Sequence, residues 1–222
     1  MSKTTERSPL SRGPGGSEPR GRADALRHAL GLEALSLSYN VVEAGVGVAA
    51  GIAAGSVALV GCGLAAGVEA ASAGVLSWRL GTERRGRRTA EEAERKAVRL
   101  VAVAFGALAA YVGGRSVFDL VEGARPEEST IGIVLAAVSL VVMPVLARAK
   151  RAAARELGSR SLEGDSAQTM LCTYMSAVLL FGLATNSLWG WWWADPVAGL
   201  VIAALAAREA RELWVTEDLC CS

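Results

Sequence analysis

The charged side chains of this 222-residue chain are clustered, and between the clusters run long stretches that carry almost none. That arrangement constrains the fold more than the totals do. A chain that is 52% hydrophobic and 20% charged with a net charge of +1 would suit a soluble protein if its charges were evenly spread. A helix crosses the hydrocarbon core of a bilayer with roughly 20 mostly apolar residues. Six stretches meet or approach that length: 34–54, 56–78, 97–118, 131–147, 167–188 and 193–207. The expected fold class is therefore an all-α integral membrane protein with six transmembrane helices.

The first 22 residues, MSKTTERSPLSRGPGGSEPRGR, are rich in Pro, Gly, Ser and Arg and have little to bury. They predict a disordered tail with no cleaved leader. The domain expectation is a tail over 1–30, a six-helix unit over 31–213 and a short tail over 214–222 that ends in vicinal Cys220 and Cys221. The cysteines are too few and too scattered for a disulfide framework.

Basic residues orient membrane proteins by collecting in cytoplasmic loops. The connection after span 2 holds Arg79, Arg84, Arg85, Arg87, Arg88, Arg95, Lys96 and Arg99. The one after span 4 holds Arg148, Lys150, Arg151, Arg155 and Arg160. After span 3, Arg115 and Arg125 face four acidic residues, and the remaining two connections have no basic residue. Both termini are therefore expected in the cytoplasm. Because this bias already accounts for the basic loops, no nucleic-acid partner is expected. Thr89 and Glu92 have capping-box spacing, with Glu91–Arg95 and Glu92–Lys96 as i,i+4 pairs. In WGWWWADP, the tryptophans suit the outer interface, and Asp195 with Pro196 reads as a helix N-cap followed by a first-turn proline.

Glycines recur four apart at Gly47, Gly51 and Gly55 and again at Gly63 and Gly67. Small residues at that spacing let helices approach closely in lipid, so spans 1 and 2 read as a tight hairpin. The polar residues inside the spans matter more for function. Tyr39, Asn40 and Glu43 share one helical face in span 1. Glu69 lies in span 2, and Gln168 and Cys172 stand four apart in span 5 with Thr169, Thr173 and Ser176 nearby. An ionisable side chain at mid-bilayer is costly and marks a pathway or a site. With no Lys or Arg in the middle of any span, Glu43 and Glu69 are either protonated or meet a cation. Asp165, just before span 5, is an inner-entrance residue or a helix cap. The spans hold no His cluster, Ser/His pair or paired-Asp constellation, so no enzyme is expected.

The run YNVVEAGVGVAAGIAAGSVALVGCGLAAGVE, then MPVLARAKRAAARELGSRSLEGDSAQTMLCTYMSA and WWWADP, resembles the cation diffusion facilitator family over nearly all of 34–213. It is closest to the short bacterial branch without a cytosolic metal-binding domain, which is similar to transmembrane protein 163. The resemblance implies a homodimeric transporter in the bacterial inner membrane that exports a divalent cation, usually Zn²⁺ and often in exchange for protons. The ion is its substrate, and no resident cofactor is implied. The resemblance also implies a tetrahedral site built from i,i+4 pairs in spans 2 and 5, which map to Ala65 with Glu69 and to Gln168 with Cys172. Alanine has no donor atom, and the short branch normally carries an aspartate at that position. The expected metal residues are then Glu69, Cys172, Gln168 and Glu43, supported by Asn40, Tyr39, Asp165 and Ser176. A transport-incompetent relative, acting as a structural or regulatory subunit, is the alternative that Ala65 raises. The only histidine, His28, lies before span 1 and is not expected at the site. Cys220 and Cys221 could pass or sense a soft metal, or carry a lipid.

Overall fold

The computed structural model describes residues 19–84 and 91–219, and over them every element is helical. The Thr89 capping box, Cys220 and Cys221, and residues 1–18 of the expected tail lie outside the described residues. Six helices follow in order: α1 (Pro19–Ala54), α2 (Val57–Arg84), α3 (Glu91–Glu122), α4 (Thr130–Leu157), α5 (Arg160–Trp189) and α6 (Ala194–Leu219). Five of them carry a stretch long and apolar enough to cross a membrane; α6 falls short by that measure. Large apolar side chains such as Val42, Ile52, Val134, Val141 and Phe181 are exposed around the bundle, as lipid contact requires.

The helices outrun the apolar runs at the ends that carry the α2–α3 and α4–α5 connections. The boundary expected near residue 30 falls inside α1. There Ala25, Leu26 and Ala29 are buried with Leu76, Ala153, Ala154, Leu157 and Leu162 of α2, α4 and α5. Arg115, assigned above to a connection, lies within α3 and pairs with Asp119 of the same helix at 3.0 Å. The α4–α5 connection shrinks to Gly158 and Ser159. Gly158 ends α4 at φ 64°, and Ser159 Oγ accepts from Leu162 N to start α5.

The α1–α2 hairpin is as tight as the glycine spacing predicts. A Cβ on Gly63 would stand 2.7 Å from Val48 N, and one on Gly51 would stand 2.7 Å from Val60 N. Gly55 makes the turn at φ 65°, which an L side chain would oppose. Asp195 departs from the expected role. It sits within the first turn of α6, and its carboxylate reaches across to the start of α2. Ser56 Oγ donates to its Oδ1 at 2.5 Å and Val57 N to its Oδ2 at 3.0 Å. It caps a neighbouring helix.

Helix α1 packs mainly on α2, α4 on α5, and α1 also meets α4 while α2 meets α5. These four helices form one group, and α3 with α6 forms a second pair against it. The main core lies between the two, built from residues such as Leu59, Phe105, Val112, Met175, Leu179 and Ile202.

Candidate metal centre

Glu69 is completely buried on α2, and it is drawn toward α5 by two hydrogen bonds. Cys172 Sγ donates to its Oε2 at 2.5 Å, and Thr169 Oγ1 donates to its Oε1 at 2.7 Å. The donors sit three residues apart, about one helical turn, so a single face of α5 supplies both. Buried polar groups need partners, and here each carboxylate oxygen has one. A carboxylate facing a thiol offers two donor atoms to a borderline ion such as Zn²⁺ once the thiol proton leaves.

The other expected ligands are placed differently. Glu43, on α1, accepts from Ser139 Oγ of α4 at 2.5 Å. Tyr39 OH lies 2.8 Å from the same Ser139 oxygen. With the Ser139 proton on Glu43, Tyr39 is the donor of that second bond, and Glu43 Oε2 is left buried with no hydrogen bond. Glu43 and Glu69 are within electrostatic range of one another. Even so, among the described residues no three His, Cys, Asp or Glu side chains converge closely enough to hold one ion.

Gln168 is buried and its Nε2 has no hydrogen bond. Ala65 is 1% exposed and packed in the apolar core with Cys62, Phe105 and Met175. Ser176 is buried beside Cys62. Asn40 turns toward the end of the bundle that carries the α4–α5 turn, where its Nδ2 reaches Ser36 Oγ at 3.5 Å.

Asp165 is neither an entrance residue open to water nor a cap. It is buried within α5 and ion-paired to Lys150 of α4. Lys150, read above as part of a connection, instead lies within α4 with its side chain completely buried. Glu33 and Ser36 of α1, also missed in the sequence, are buried with it. The signal was present as spacing. Ser139, Met143, Leu146, Lys150, Ala153 and Leu157 share the buried face of α4, and Lys150 keeps that register. Glu33, Ser36, Asn40 and Glu43 likewise follow one face of α1, and all four are buried.

Residues 34–216 match the family model of the cation efflux transmembrane domain. A relative named cation-efflux pump FieF, from Shewanella oneidensis, is 29% identical over 87 residues. That stretch is 39% of this chain and covers 29% of the pump's length.

Proposed function

The chain belongs to the cation efflux transmembrane domain family, and from that premise we propose a secondary transporter that exports a divalent metal ion, most simply Zn²⁺, in exchange for protons. The observation that carries this reading is the buried Glu69–Cys172 pair between α2 and α5, 2.5 Å apart. Either both groups hold protons or an ion replaces those protons. That alternative is what exchange requires at a site sealed from water. A thiolate favours Zn²⁺ or Cd²⁺ over Mg²⁺. Glu43, whose buried Oε2 has no hydrogen bond, would complete the ligand set by turning from Ser139. Gln168, buried four residues before Cys172 on the face of α5, stands next in line through its side-chain carbonyl oxygen.

The basic α2–α3 and α4–α5 connections support a reading with both termini in the cytoplasm, and a bacterial inner membrane is what the family resemblance implies. The division into α1, α2, α4 and α5 against the α3–α6 pair supports alternating access by rocking one group on the other. A homodimer is carried over from the family resemblance.

A second reading rests on Ala65. Its place in the apolar core, where the family resemblance expects an aspartate, supports a chain that keeps the fold without transport. Zn²⁺ uptake into proteoliposomes decides between the two. Uptake by the native chain that is lost in Glu69→Ala supports transport. Uptake only by Ala65→Asp would sink it in favour of a silent relative.

A further inference from the structure

A charged cluster beside the Glu69–Cys172 pair has no part in the transport reading given above. The ammonium of Lys150 donates to Asp165, to Ser36 Oγ at 2.8 Å and to Thr169 Oγ1 at 3.3 Å. It also pairs with Glu33 Oε2 at 3.5 Å. Three N–H groups meet three hydrogen-bond acceptors, so the ammonium is saturated without water. Its partners come from α1 and α5, and Lys150 itself comes from α4.

Height along the helices gives the cluster its meaning. Asp165, Thr169 and Cys172 climb α5 from its start, and at a rise of about 1.5 Å per residue Asp165 lies roughly 10 Å nearer the α4–α5 turn than Cys172. Lys150 and Glu33 are displaced toward the same end, from Ser139 and Glu43 respectively. The cluster therefore stands between that end and the Glu69–Cys172 pair, across three of the four helices that enclose the pair.

Two features separate it from a plain structural tie. Glu33 and Asp165 bring two buried carboxyl groups to one ammonium, Glu33 at 3.5 Å. A structural tie would be stable as a matched pair, without the second buried carboxyl. The other feature is Thr169, whose single hydroxyl accepts from Lys150 and donates to Glu69. One side-chain oxygen thus joins the ammonium to the carboxylate of the candidate site.

We propose that Lys150 is a tethered counter-cation that positions Glu69 through Thr169 and plugs the cytoplasmic side of the Glu69–Cys172 pair. A divalent ion passing between the cytoplasm and the pair displaces the ammonium from Thr169 and Asp165. When the ion has left, Lys150 returns and closes the route. The proposal rests on the transport reading and on the cytoplasmic placement of the α4–α5 turn.

The test is the rate at which a small cationic methanethiosulfonate labels Cys172 in ion-free, full-length protein in nanodiscs. Cys62→Ala, Cys220→Ser and Cys221→Ser leave Cys172 as the only thiol. Lys150→Met, Glu33→Gln and Asp165→Asn together remove the charges and keep the volume. Labelling about tenfold faster or more than in the parent is the expected result. The pair Lys150→Gln with Asp165→Asn, which keeps polar atoms at both positions, carries the same expectation if the triple change does not fold. A folded variant that labels at the parental rate, within about twofold, overturns the plug and leaves a structural tie. The assay uses no metal. A native chain that fails to carry Zn²⁺ in vesicles would instead overturn the transport reading.

Discussion

Cys172 presents its thiol to one oxygen of Glu69 at 2.5 Å, while Thr169, one turn away, occupies the other oxygen. The two halves of the pair differ in softness, and this sets the first expectation. Cys172→Ser keeps a donor atom of similar reach and replaces soft sulfur with hard oxygen. Affinity for Cd²⁺ and Zn²⁺ should fall about tenfold or more, and each factor of ten is about 1.4 kcal/mol. Affinity for Mn²⁺ should change by less than about threefold, because hard ions gain little from thiolate. Competition binding in detergent measures both, and an equal loss for every ion would show that the thiol is not a ligand.

Glu43 should matter less than Glu69. It is held by Ser139, whose hydroxyl Tyr39 bonds in turn. Glu43→Gln is expected to raise the KM for Zn²⁺ uptake several-fold and leave measurable transport, whereas Glu69→Gln removes it. If the two substitutions abolish uptake equally, Glu43 belongs to the ion site on the same footing as Glu69.

The hairpin glycines separate close approach from mere composition. An alanine Cβ at Gly51 would meet Val60 N at 2.7 Å, and at Gly67 only Ala44 Cβ at 3.7 Å. Gly51→Ala should therefore destabilise by about 1–3 kcal/mol, the usual range for overpacking. Gly67→Ala should be neutral or slightly stabilising, since alanine is the better helix former. Thermal unfolding in one detergent compares them, and a Gly67→Ala loss as large as that of Gly51→Ala would contradict the packing described.

Helix number and order were legible in the sequence because hydropathy runs and turn residues are local signals. Gly55, Gly158 and Gly190 all punctuate the chain at positive φ where a helix stops. Glu69 stood out through the cost of burying a carboxylate, whereas its pairing with Cys172 came from the family resemblance and not from spacing. Lys150 was not legible, because a lysine at the end of an apolar run looks like a topology signal. Its burial depends on Asp165 and Glu33, which reach it only once α1, α4 and α5 are packed. Asp195 was misassigned for the same kind of reason. Its own helix offered a local partner, but the fold supplied the N-terminus of α2 instead.

Glu209, beyond the apolar part of α6, gives a pH dependence. Burial and the neighbouring Glu212 hold its carboxyl at about 6, against the pull of Arg208. Its ordinary value is 4.5, so between about 4.5 and 6 the folded chain binds more protons than the unfolded one. Stability contributed by this group is present at low pH and is lost as pH rises through that window. Glu209→Gln should flatten the fall in Tm across it and raise Tm at pH 8. An unchanged slope would place Glu209 in a more open setting than the structure gives it.

Asp195 is the residue on which the junction of the two helix groups turns. It is 1% exposed, and it satisfies Ser56 Oγ and Val57 N at the start of α2 while belonging to α6. Asp195→Ala strands a buried hydroxyl and a buried amide, each worth about 1–3 kcal/mol when left unpaired. Asp195→Asn keeps one acceptor oxygen, which can serve Val57 N or Ser56 but not both. The expected order of thermal stability is therefore native, then Asn, then Ala. Ser56→Ala offers a second comparison: it removes the donor to the carboxylate and the acceptor of Leu59 N, and it leaves the Val57 amide bond in place, so it too should lower the Tm. If Asp195→Ala melts with the native chain, the carboxylate is not the tie between α6 and α2. A loss confined to transport, with Tm unchanged, would move Asp195 from the frame of the bundle to the path of the ion.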